Sequence, residues 1–199
     1  MLQPDFPSLA GICAAIGAII AALALPGVVA PARAAAAWKW FPRSKWPGRV
    51  MTAVAACWTA LWAPPLVLEF APGAAPSIVG LIQYAVPVAV VAICLAIPDL
   101  LSCRAAGMIL VLAPVPVLSA AQWHPSAARY FPIALAYAMA LEGMFAVSRP
   151  WVLRDQIMRA NASAARARLV SAAFLVLAAA LVLLAATAFP VEPGAEPLR

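Results

Sequence analysis

The sequence predicts an all-α polytopic membrane helix bundle of six transmembrane helices, with both termini outside, on three observations. Of 199 residues, 66% are hydrophobic and 10% are charged. A soluble domain carries about 25% charged residues, so this chain cannot cover a water-facing surface and lipid must solvate most of its side chains. Six apolar runs succeed one another, at about 9–29, 50–70, 78–97, 105–121, 130–147 and 169–189. The cations, finally, collect in alternate connections rather than in all of them.

The first run, Leu9 to Val29, has 21 residues. At about 1.5 Å per residue it matches a hydrocarbon core of about 30 Å. Asp5 stands where a cleaved signal peptide carries positive charge, so the run reads as a retained span. Ala10, Ala14, Ala18 and Ala22 recur four apart and predict a face along which another helix approaches closely.

A basic segment follows at 33–49, with Arg33, Lys39, Arg43, Lys45 and Arg49 interleaved with Trp38, Trp40, Phe41 and Trp46. Aromatic rings with one wet edge prefer the headgroup zone, and cations beside them meet phosphates. Trp38, Lys39, Trp40, Arg43, Lys45 and Trp46 are therefore expected to anchor the chain against anionic lipid headgroups; nucleic acid is not the expected partner. Pro42 and Pro47 argue against one continuous helix through this segment.

The second run carries Pro64-Pro65 and ends near Glu69, and the short turn 71–76 closes a hairpin onto the third, which contains Pro87. The fourth run, at 105–121, is the shortest, with 17 residues and both Pro114 and Pro116. The fifth, at 130–147, holds one carboxylate, Glu142. A second basic segment at 149–168 reads as a loop containing a short surface helix after Pro150, capped by Ser148. The sixth run has no charge, and the tail 190–199 is expected outside.

Orientation follows from counting. Six spans place Arg33, Lys39, Arg43, Lys45, Arg49, Arg104, Arg149, Arg154, Arg159, Arg166 and Arg168 on one side, and only Arg129 and Arg199 on the other, a split of 11 to 2. Short basic connections stay in the cytoplasm. The chain thus reads as a multi-pass protein of a bacterial-type inner (plasma) membrane.

Glu142 is the candidate site. It lies six residues before Ser148, hence about 9 Å inside the helix end. A carboxylate within a span costs at least about 2.5 kcal/mol unless paired, wetted or protonated. Arg104 and Arg49 stand at the cytoplasmic starts of neighbouring spans and Arg149 lies on the same helix face, so these three are its possible partners. The carboxylate reads as an ion or solute contact, or as a structural tie between helices.

Cys13, Cys57, Cys94 and Cys103 lack paired spacing, and His124 is the single histidine, so neither a metal site nor a cofactor is predicted. No phosphate loop, metal-binding helix motif or nucleophile elbow occurs. A non-catalytic accessory, assembly or scaffold component is expected, working through helix packing, a basic cytoplasmic surface and a membrane-protein partner or a second copy of itself. The alternative is a small-solute or ion transporter using Glu142 and proline-broken helices. A lipid-processing enzyme ranks last, for want of clustered polar side chains.

Overall fold

A computed structural model describes residues 8–71, 73, 75–96, 100–122 and 124–189. The expected outside tail and the N-terminal segment before Ser8 lie outside these residues, as do Pro98, Asp99 and Trp123. Nine α-helices run through the described residues, with no strand among them: α1 (Leu9–Val29), α2 (Pro31–Trp40), α3 (Lys45–Phe70), α4 (Pro76–Ala96), α5 (Leu101–Leu112), α6 (Pro114–Ala121), α7 (Tyr130–Ser148), α8 (Pro150–Ala160) and α9 (Ala164–Thr187). Short 3₁₀ turns occupy Phe41–Arg43 and Ala127–Arg129.

Among the described residues four helical stretches are long and apolar enough to cross a membrane: Leu9–Val29, Leu101–Ala121, Ala127–Ser148 and Ala164–Thr187. Pro76–Ala89 is apolar but shorter. The side chains are sorted as lipid solvation requires. Ala55, Ala105, Ala121, Ala136 and Ala146 are buried, while Leu61 is 75% exposed and Val176 71%. Water would drive the large apolar groups inward; in lipid they face out, and small residues let the helices close on one another.

The basic segments are more helical than expected. α2 ends at Trp40, the chain passes through the 3₁₀ turn containing Pro42, and Ser44 takes extended backbone (ψ 132°) before α3 starts at Lys45. Pro47 falls in the first turn of α3, where its missing N–H has no intrahelical partner to lose. At 149–168 the chain is α8, a turn, and the start of α9, whose cap is Ser163: its Oγ accepts from the Arg166 amide at 3.2 Å. Ser148 does not cap α8. Its hydroxyl donates back to the Met144 carbonyl within α7 (2.8 Å). The prolines are absorbed as well: α3 runs through Pro64-Pro65 and α4 through Pro87, and only the fourth span is interrupted, at Ala113 before Pro114.

The chain divides into two compact units. One comprises the described residues of Met1–Ala37, Ala113–Ala138 and Ala160–Arg199. Its centre is the α1–α9 pair, which runs antiparallel: Gly17 lies against Ala178 and Val182, and Gly27 against Ala167 and Ser171. A Cβ at Gly17 would stand 2.9 Å from Val182 Cγ2 and 3.0 Å from the Ala178 carbonyl oxygen, so glycine is required there. The buried positions of α1 include Ala10, Gly17 and Ala24 on one seven-residue series, and Cys13 and Gly27 on another. Ala18 and Ala22 of the expected alanine face are exposed. A seven-residue repeat keeps one seam against a neighbouring helix over its whole length, whereas the four-residue series drifts off it. Val117, Ala121 and Ala136 extend this core. His124 packs edge-on against Phe189, with ring centroids 4.8 Å apart.

The other unit comprises Trp38–Leu112 and Met139–Arg159. There α3 packs on both α4 and α5. Ser102 donates to the Ser44 carbonyl at 2.5 Å, and Gly48 lets α3 approach the Leu101–Ser102 backbone, since a Cβ there would lie 2.8 Å from the Ser102 nitrogen. α5 meets α7 glycine to glycine: a Cβ on Gly143 would stand 2.7 Å from the Gly107 carbonyl oxygen.

Candidate functional site

The Gly107–Gly143 contact sets the geometry around Glu142. Glycine at both positions brings the α5 and α7 backbones together, and the two polar side chains flanking the contact are Arg104, one turn earlier on α5, and Glu142 itself. Arg104 reaches past the contact, and its Nη1 donates to the Val147 carbonyl at 3.2 Å. Val147 is in the last turn of α7, where carbonyls lack intrahelical donors and the helix dipole is negative. A cation supplied by a neighbouring helix satisfies both needs.

Glu142 is half-buried, and its Oε2 accepts from Gln156 Nε2 of α8 in a long hydrogen bond of 3.5 Å. Its Oε1 is buried without a hydrogen-bond partner, and so is the Nε of Arg104. Among the described residues no ion pair joins Glu142 to Arg104, Arg49 or Arg149; Arg154 pairs with Asp155 at 2.8 Å. Arg49 is exposed with its guanidinium carbon 5.9 Å from the centroid of the Trp46 ring, and Arg149 is exposed between α7 and α8. Of the three arginines, Arg104 is engaged at the α5–α7 interface, on the Val147 carbonyl, and the other two lie at the surface.

Gln156 is neutral, so charge complementarity does not single it out as a partner of Glu142. It stands seven residues after Arg149 and Glu142 seven before it, so a chain that folds back through Arg149-Pro150 brings the pair within reach. That symmetry about a helix-starting proline was the available signal.

The residues expected to anchor the chain fall into two groups. Trp40 is 60% and Trp46 72% exposed, and Trp38 is half-buried, edge-on to Phe41 at 5.9 Å. Lys39 is half-buried in the last turn of α2, where its charge complements the dipole. Arg43 and Lys45 are exposed and, with Arg154, border a cleft of about 460 Å³.

The remaining candidates serve local structure. Arg129 Nη1 donates to the Gln122 and His124 carbonyls (3.2 and 2.6 Å), and His124 Nδ1 accepts from the Ser126 amide at 3.2 Å. Cys13 and Cys103 are buried and Cys57 is exposed; the Cys94 side chain lies outside the described ones. Among the described residues no three His, Cys, Asp or Glu side chains gather as metal ligands would. Compared with known proteins, the chain matches no protein-family model, no curated protein and no solved structure.

Proposed function

We propose that this chain is a six-span inner-membrane protein, both termini outside, that acts as a non-catalytic accessory or scaffold component through its helix faces and a basic cytoplasmic surface. The observation that carries the reading is what the two polar side chains beside the Gly107–Gly143 contact do. Arg104 ties α5 to the end of α7, and Glu142 ties α7 to α8. Both join helices.

The six-span count rests on the α3–α4 hairpin crossing the bilayer together with the four qualifying stretches. A hairpin adds two crossings at once. With or without it, every cation keeps its side, so the 11-to-2 split supports both counts equally. What favours the crossing is the length of the two helices, 26 and 21 residues, each able to span about 30 Å.

One observation favours a second reading, a small transporter: Glu142 Oε1 is buried and unpartnered, as a group awaiting a proton or cation would be. Proteoliposomes loaded with a pH dye, and separately with a sodium or potassium dye, decide between the two. The scaffold reading expects no flux above protein-free vesicles. Flux that Glu142→Gln abolishes while the fold persists would overturn it in favour of transport.

A further inference from the structure

Arg43 lies in the 3₁₀ turn, Lys45 is the first residue of α3, and Arg154 belongs to α8, yet all three line one cleft together with Leu100 and Leu101. Like charges from three elements repel unless something shares them. Among the described residues neither Arg43 nor Lys45 has an ion-pair partner, and both side chains are exposed. Arg154 spends Nε and Nη2 on Asp155 Oδ1, which leaves Nη1 for another acceptor. Asp155 offsets one of the three charges, and the cleft stays net cationic.

The backbone adds donors. Ser44, between Arg43 and Lys45, makes no side-chain capping bond, so the Lys45 and Trp46 amides that open α3 are not spent on a cap, while Pro47 has no N–H to offer. Its carbonyl is held by Ser102, which fixes the rim against α5. The free Arg43 fork, the remaining Nη1 of Arg154 and the Lys45 ammonium around one concave space suit a tetrahedral oxyanion better than a planar carboxylate, because several oxygens must be met from different directions.

We propose that this cleft binds a phosphate group through Arg43, Lys45 and Arg154. The inference rests on the membrane reading above for its setting: the three residues belong to the connections assigned to the cytoplasmic side, where phosphate reaches the cleft as an anionic lipid headgroup or as free phosphate. Either source presents the same chemistry. Unlike a diffuse basic surface, the cleft must depend on these cations more than on an equal number elsewhere.

The test uses the full chain in mild neutral detergent, with Arg43→Gln/Lys45→Gln as the cleft variant and Arg33→Gln/Arg168→Gln, which do not line the cleft, as a control variant of equal charge. All four side chains are exposed, and circular dichroism confirms the fold before comparison. In one arm, the protein is equilibrated with mixed phosphatidylcholine and phosphatidic acid, and native mass spectrometry counts the lipid retained. In the other arm, inorganic phosphate replaces chloride at constant ionic strength, and the melting temperature is followed.

Selective retention of phosphatidic acid, weakened roughly 25-fold in the cleft variant at about fivefold per cation and unchanged in the control variant, identifies a lipid headgroup. A rise in melting temperature with inorganic phosphate, lost in the cleft variant alone, identifies free phosphate. No response in either arm, or equal loss in both variants, overturns the cleft. Equal loss would leave the basic surface of the scaffold reading standing, whereas flux through Glu142 would strike that reading without touching the cleft.

Discussion

The Arg104 guanidinium donates across the α5–α7 interface to the carbonyl of Val147, closing the C-terminal end of α7 with a cation from another helix. A charged donor to a backbone carbonyl is worth about 1.5–3 kcal/mol when the acceptor has no alternative. Arg104→Met removes the donor and leaves the Val147 carbonyl unmet, so the melting temperature in detergent should fall. Arg104→Lys keeps the charge at the dipole but loses the reach of the fork, and should recover part of the loss. Equal melting temperatures for all three proteins would show that the bond contributes nothing.

The glycines of the same interface predict a contrast. A Cβ on Gly107 would meet Ala146 Cβ at 2.8 Å and the Val147 nitrogen at 2.9 Å, and backbone cannot step aside as a flexible side chain does. Gly107→Ala and Gly143→Ala should each cost about 1–3 kcal/mol, the range for overpacking a tight contact. Gly80, in α4, has nothing within 4 Å of its Cβ position, so Gly80→Ala should be neutral or stabilise by about 0.5–1 kcal/mol through helix propensity. Thermal melts of the three variants side by side check the ordering.

Thr52 is buried in α3 at 4% exposure, and its Oγ1 has no hydrogen-bond partner. Valine has nearly the same shape and no polar atom to desolvate. Thr52→Val should therefore leave the melting temperature unchanged or raise it, by about 1 kcal/mol at most. A clear fall would mean that the hydroxyl is engaged.

How much of this was legible in the sequence depends on what kind of signal each feature leaves. Apolar length announces α1, α7 and α9 directly, because lipid admits nothing else over that distance. Hydropathy fails at the ends: a helix continues into the headgroup zone where charges begin, so α3 starts at Lys45 and α9 at Ala164, five residues before their apolar runs. Ser163 caps the start of α9, where cap chemistry reads better than hydropathy, whereas Ser44 stands before α3 in extended backbone without a capping bond. The α1 seam was misplaced because alanine is common throughout the helix. Its true period appears only with Cys13, Gly17 and Gly27 included. Glu142 stood out as a lone carboxylate, but its contact is a neutral amide, and charge complementarity is blind to that.

The six-span topology is the claim on which the assignment of faces depends, and one position tests it most directly. Gly73 lies in the turn between α3 and α4. Reporter fusions near Ser44 and Ala164 read inside whether the hairpin crosses or not, and a fusion after Arg199 reads outside in both cases. Only Gly73 changes sides. A periplasm-active reporter fused there should give an outside signal if α3 and α4 span the bilayer. An inside signal at Gly73, with the other three positions unchanged, would contradict six spans and leave four.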